Sequence, residues 1–222
     1  MRRIGVVVFP GTNCEFDTVT AIERCGGQPE LVWHDRRSLA AMDALVLPGG
    51  FSYGDYLRPG AIARFSPVMS AVRSFADSGG PVLGICNGFQ VLTEAGMLPG
   101  ALQKNIGLKF ICRTVTIRVE TTRTPVTRKA MQSMELSLPI NHFEGNYTCD
   151  SNTLERLRNE ERIVLRYVDN PNGSMDSIAG ICNEAGNVVG IMPHPERAVD
   201  HLLGLEDGEI IFRSLLDTTI GH

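Results

Sequence analysis

Between a short apolar run, Pro81-Val82-Leu83, and a segment from Phe89 to Ala95 that reads as helix stands Gly84-Ile85-Cys86-Asn87-Gly88-Phe89-Gln90. A glycine-flanked nucleophile at a strand-to-helix turn is the pattern of a nucleophile elbow, here with cysteine where serine is common. The turn is tight and strained, and side chains at positions 84 and 88 would crowd the backbone around Cys86. The positive end of the helix that follows favours an anion at the cysteine. The same pattern also occurs as an inert buried cysteine in the glycine-rich turns of parallel-sheet proteins. Either way the stretch demands a strand feeding straight into a helix.

The chain before it repeats that rhythm. Ile4 to Phe9 is a continuous apolar run, as expected for a strand covered on both faces. Thr12 stands three residues before Glu15, a capping-box spacing, and Phe16, Val19, Ile22 and Cys25 form a helical stripe ending at Gly26-Gly27. Short strands follow at Leu31–Trp33 and Ala44–Leu47. Ser66-Pro67 caps a helix carrying Val68, Ala71, Val72, Phe75 and Ala76, and Gly79-Gly80 stops it. Strands separated by helices at this spacing give right-handed βαβ units and a parallel sheet.

The second half differs. Val115, Ile117 and Val119 alternate, and short strands fit Glu135–Pro139, Ile163–Val168, Ile178–Cys182 and Val188–Met192, with turns at Asn170–Gly173 and Glu184–Asn187. Leu154 to Arg162 reads as a polar surface helix. Ile210, Ile211, Leu215 and Leu216 mark a closing helix. The expected fold is therefore α/β, flavodoxin-like, with a largely parallel sheet flanked by helices and a smaller antiparallel portion. No repeat, low-complexity tract or linker interrupts it, so 1–222 reads as one domain.

A second cluster, Gly190-Ile191-Met192-Pro193-His194-Pro195-Glu196, supplies what a nucleophile needs. Flanking prolines favour an extended segment, and in an extended segment His194 and Glu196 share a side. The carboxylate can then orient the imidazole as a base. His142-Phe143-Glu144 has the same spacing, so spacing alone leaves both histidines open. Cys14 also precedes a helix but lacks the flanking glycines, and reads as a small core residue. Cys112, Cys149 and Cys182 lie in or near strands and read as core.

Composition removes other classes. A formal net charge of −4 disfavours a nucleic-acid surface. The six cysteines show no C-x-x-C spacing, so neither a zinc ribbon nor a redox pair is expected. No apolar run approaches the roughly 20 residues that cross a bilayer. The N-terminal apolar run is too short for a signal peptide, and the expected location is cytoplasmic. No lysine follows a glycine-rich loop, so no Walker-type ATP site is expected; no metal site is expected either.

Together, the Cys86 elbow and the distal His194-Pro195-Glu196 resemble the class I, triad-type glutamine amidotransferases. Within that family, Phe9-Pro10-Gly11-Thr12-Asn13-Cys14-Glu15, the stretch Pro48-Gly49-Gly50-Phe51-Ser52-Tyr53-Gly54-Asp55-Tyr56-Leu57-Arg58-Pro59-Gly60, and Pro139-Ile140-Asn141-His142-Phe143-Glu144-Gly145 are similar to the glutaminase subunits of phosphoribosylformylglycinamidine synthases. The last segment departs from the family's His-Gly-Glu-Gly-basic pattern at Phe143 and Asn146.

The resemblance implies Cys86 as nucleophile, His194 as base and Glu196 as its orienter. It implies an oxyanion hole from the backbone N–H groups of Gly50 and Asn87. It also implies a glutamine pocket at Gly50, Phe51, Gln90 and His142. Ammonia would pass to a separate synthetase subunit that holds ATP and magnesium, so this chain needs no cofactor, and a small third subunit is left open. Two other classes compete on the residues alone. One is a stand-alone cysteine hydrolase or peptidase, which turnover of γ-glutamyl peptides would reveal. The other is a non-catalytic regulatory module, disfavoured because Cys86, His194 and Glu196 are all intact.

Overall fold

The first apolar run forms β1 (Arg3–Val8), buried from Ile4 onward in the computed structural model, which describes residues 1–217. The end of the single-domain range, 218–222, lies outside the described residues. Helix α1 (Glu15–Arg24) crosses to β2 (Gln28–Trp33), parallel to β1. Strand β3 (Ala44–Leu47) pairs parallel with the other edge of β1. Helix α2 (Pro67–Asp77), with its proline in the first turn, leads to β4 (Val82–Ile85), and β4 feeds α3 (Asn87–Glu94). The strand–turn–helix demanded by the elbow is present.

The remaining elements are β5 (Ala101–Gln103), β6 (Ile111–Val119), β7 (Glu135–His142), β8 (Asn146–Thr148), α4 (Ser151–Asn159), β9 (Ile163–Tyr167), β10 (Ile178–Cys182), β11 (Val188–Ile191) and α5 (Glu209–Leu216). Nine strands join in the order β2-β1-β3-β4-β11-β10-β9-β6-β7, and β5 pairs with β8 apart from them. From β2 to β11 every pairing is parallel; from β11 to β7 every pairing is antiparallel. This is the α/β, flavodoxin-like arrangement expected from the sequence. Strand β11 is the seam, parallel to β4 on one side and antiparallel to β10 on the other.

Local expectations fail where a different contact takes the group. Thr12 does not cap α1: its hydroxyl accepts from the Phe9 N–H at 3.0 Å, and Cys14 occupies the cap position without a side-chain bond. The buried face of α1 runs through Cys14, Thr18, Ala21 and Ile22, so Phe16 projects outward, 65% exposed. Strand β2 begins at Gln28, ahead of its apolar residues, because β1 supplies a ready ladder. Cys112 faces outward on β6 rather than into the core.

Candidate active site

Four parallel neighbours, β1, β3, β4 and β11, end on the same edge of the sheet, and each releases a chemistry-bearing loop there. After β1 come Thr12 to Cys14, after β3 Gly49-Gly50-Phe51, after β4 Cys86, and after β11 His194 to Arg197. The carboxyl ends of parallel strands beside a reversal of strand order are where open α/β sheets place ligands.

Cys86 adopts φ 50°, ψ −104°, a left-handed conformation for a residue with a side chain. Such strain costs on the order of 1–3 kcal/mol and persists only where the surroundings over-determine it. They do so here. The Cys86 N–H donates to Ile191 O at 2.8 Å, and its carbonyl accepts the first helical bond from Gln90 N at 3.1 Å. A Cβ at Gly88 would sit 1.9 Å from Leu47 O, and one at Gly84 would sit 2.6–2.7 Å from Leu92 and Gly88. Both elbow glycines are required by close packing of α3 on the sheet.

His194 is 1% exposed and Glu196 3% exposed. The imidazole Nδ1 lies 2.6 Å from Glu196 Oε1. The two meet through a short helical turn, Pro195–Arg197, rather than along the extended segment expected from the prolines. Burial opposes charge on His194, but Glu196, then the Cys86 and Cys14 sulfurs, outweigh it and hold the imidazole well above its ordinary value. Its Nε2 has no oxygen or nitrogen partner among the described residues. The ligand-capable atoms of Cys14, His194 and Glu196 lie within 4.8 Å of one another, a spacing that could hold a cation. Glu196 Oε1 and His194 Nδ1 are already paired with each other, which favours a hydrogen-bonded pair over a metal site.

His142 is built differently. Its Nδ1 is 3.1 Å from Asn105 Oδ1, while Asn105 Nδ2 donates to the carbonyls of Lys109 (2.9 Å) and His142 (3.0 Å). Asn105 therefore presents an acceptor, the Nδ1 carries the proton, and Nε2 is left with a lone pair. Burial, then the charge of His194, pushes the His142 imidazole down to about 4, so it is neutral. Of these two histidines, only His194 has a carboxylate partner among the described residues.

The backbone around Gly50 leaves a donor in place. Gly50 pairs with Thr12 in an isolated antiparallel bridge whose bonds run from Asn13 N to Gly49 O and from Phe51 N to Gly11 O. The Gly50 N–H takes no part in that bridge. With φ +140° and a hypothetical Cβ 2.5 Å from Asn13 N, only glycine fits. Asn87 opens α3, so its N–H has no helical acceptor. Its side chain binds the loop: Oδ1 accepts from Ser52 N at 3.1 Å, and Nδ2 reaches Asp55 Oδ1 at 3.2 Å and Gln90 Oε1 at 2.9 Å. Gln90 in turn donates to Glu144 O at 2.6 Å.

A cavity of about 310 Å³ opens over these groups. Gly50, Phe51, Cys86, Gln90, His142 and His194 line it, while Asn87 and Glu196 stand behind the wall. Sequence reasoning passed over three further wall residues, Cys14, Asp55 and Arg197. Cys14 is buried, as a core residue would be, yet its sulfur accepts from Arg197 Nη2 at 3.2 Å. Its place before α1 was the available signal. Arg197, directly after Glu196, also binds Asp17 at 3.2 Å. Asp55 is pushed up to about 6 by burial, and further by Glu144.

The mixed sheet gathers the elbow cysteine and a buried His–Glu pair at its carboxyl edge, and residues 1–204 match the family described as CobB/CobQ-like glutamine amidotransferase domain. The chain belongs to the glutamine amidotransferases. It is 59% identical over 214 residues to phosphoribosylformylglycinamidine synthase subunit PurQ of Rubrobacter xylanophilus, covering 96% of this chain and 97% of that one. The same-named protein of Koribacter versatilis is 54% identical over 224 positions, covering 96% and 97%. A chain in the solved structure of PurLQS from Thermotoga maritima superposes with a TM-score of 0.91 at 44% identity, over 98% of this chain and 99% of that one.

Proposed function

We propose that this chain is the glutamine-hydrolysing subunit of a phosphoribosylformylglycinamidine synthase, feeding ammonia to a synthetase subunit that converts formylglycinamide ribonucleotide to its amidine in purine synthesis. The observation that carries this is the strained Cys86 elbow facing a buried His194–Glu196 pair, in a chain so similar to subunits of that name. In the reaction, Cys86 Sγ attacks the side-chain carbonyl of glutamine and His194 holds the thiol proton. The tetrahedral oxyanion falls to the N–H groups of Gly50 and Asn87, each such donor being worth about 3 kcal/mol at the transition state. His194 returns the proton to the leaving nitrogen, and ammonia departs from a γ-glutamyl thioester. Water, deprotonated by His194, then releases glutamate. Glu196 holds the ring and balances its charge throughout.

No cofactor is assigned to this chain. ATP and magnesium belong on the synthetase partner, and the PurLQS assembly that holds the Thermotoga maritima neighbour supports a third subunit as well. Among the described residues no helix is long and apolar enough to cross a membrane. We assign the reaction to the cytoplasm, where the six cysteines stay reduced. The test is reconstitution with synthetase and small subunits. Cys86→Ala should abolish glutamine-dependent amidine formation while leaving synthesis from added ammonium salts. Loss of both, or of neither, refutes the assignment.

A further inference from the structure

The loop that presents the Gly50 N–H is held from two sides. Asn87 fixes Ser52 from the α3 side, and the bridge to Thr12 ties the loop to the segment after β1. On the β2–α2 side stands Tyr53. Its hydroxyl lies 3.1 Å from His34 Nδ1, just past β2, and 2.9 Å from Ser66 Oγ, at the cap position of α2. A phenol both donates and accepts, so the two bonds can form together. His34 is itself fixed to α2, its carbonyl accepting from Val68 N at 3.0 Å. The Tyr53 and His34 rings also pack edge to face, with centroids 6.0 Å apart.

Two departures from local preference mark this contact as specified. Ser66 stands where a serine ordinarily accepts from the first amides of its helix, yet it makes no side-chain capping bond to α2, and its hydroxyl goes to Tyr53. Tyr53 adopts φ 53°, ψ 30°, a left-handed conformation uncommon for a residue with a side chain, and Gly54, Asp55 and Leu57 also have positive φ. Such a run persists only where its surroundings over-determine it. Tyr53 is held at both ends, its N–H donating to Pro10 O at 2.6 Å and its hydroxyl reaching the junction of β2 and α2. We propose that Tyr53 is a positioning residue of the oxyanion hole: its hydroxyl, shared by His34 and Ser66, holds the loop in the course that aims the Gly50 N–H at the cavity. This rests on the glutaminase reading above. Tyr53 does not itself line the cavity, so it acts through Gly50, three residues away. An oxyanion donor must sit within hydrogen-bond distance of the charge that develops, so a small displacement of the loop removes its contribution.

The experiment measures two rates at one thiol in the reconstituted complex. The first is the burst of glutamyl-enzyme at saturating glutamine, which passes through an oxyanion. The second is alkylation of Cys86 by iodoacetamide, read by peptide mapping, a displacement at saturated carbon that forms no oxyanion. Tyr53→Phe, which removes the hydroxyl and keeps the ring, should lower the ratio of burst to alkylation rate at least fivefold. Ser66→Ala should lower it by a smaller factor, and Ser66→Thr, which keeps a hydroxyl, should restore it. A Tyr53→Phe ratio that falls less than fivefold overturns the proposal, and that includes a parallel loss of both rates, the mark of a merely structural role. A wild-type complex that is alkylated at Cys86 but shows no burst overturns the glutaminase reading and this inference together. Should Tyr53→Phe fail to fold, the Ser66→Ala ratio decides alone: an unmoved ratio overturns the proposal.

Discussion

Replacing Glu196 by Gln changes one oxygen for an amide nitrogen at a site with almost no solvent. The carboxylate lies 2.6 Å from His194 Nδ1, and both side chains are essentially inaccessible. Gln is isosteric and can still present an oxygen to Nδ1–H, so the tautomer survives; what disappears is the negative charge that raises the imidazole. A hydrogen bond to a charged group contributes about 1.5–3 kcal/mol, against roughly 0.5–1.5 kcal/mol for a neutral one. If the difference, on the order of 1–2 kcal/mol, is felt fully in thioester formation, the rate falls about 5- to 30-fold. The assay is the pre-steady-state burst of glutamyl-enzyme, read by rapid quench. The pH dependence of stability adds a sign. His194 has a folded pKa above its unfolded one, so its stabilisation is full below the unfolded value near 6.5 and fades as pH rises through the folded value. The stability gap between wild type and Glu196→Gln should therefore be widest below about pH 6.5 and narrow above it. A burst rate within twofold of wild type, or a gap that widens with pH, refutes the account of Glu196 as a charge partner.

Gly88→Ala should destabilise the chain by about 1–3 kcal/mol or prevent folding, because the added methyl meets the Leu47 carbonyl; thermal melting checks it, and an unchanged melting temperature removes the close-packing argument.

The parallel half of the fold was legible because its strands are buried on both faces and its helices end in glycine pairs; β1, β3, β4 and α2 follow their apolar runs closely. The edges were not. Strand β2 starts in polar residues, and β5 and β8 are three-residue strands whose pairing is purely tertiary. At the site, the elbow and the His194–Glu196 spacing were readable from local pattern. The distinction between the two histidines was not, because it depends on Asn105, 37 residues from His142. Asp55 was hidden in a loop with positive φ at Tyr53, Gly54, Asp55 and Leu57, where no periodicity exists to aim a side chain. Cys14 misled because the lack of flanking glycines excludes an elbow but not a thiol that faces an imidazole from another loop.

The seam strand has a consequence for how the molecule is made. Strand β11 lies centrally in the sheet yet is the last strand among the described residues, and the loop leaving it carries His194 and Glu196. The nucleophile emerges from the ribosome roughly a hundred residues before its base, on the order of ten seconds at ordinary rates of synthesis. Throughout that interval β4 has no partner on its inner edge and Cys86 N has no acceptor in Ile191. The elbow cannot hold its strained turn until β11 docks, and docking β11 is the same event that delivers the imidazole. A nascent or truncated chain thus bears an inert thiol. The chemistry switches on only when the two halves of the sheet are closed by their final strand.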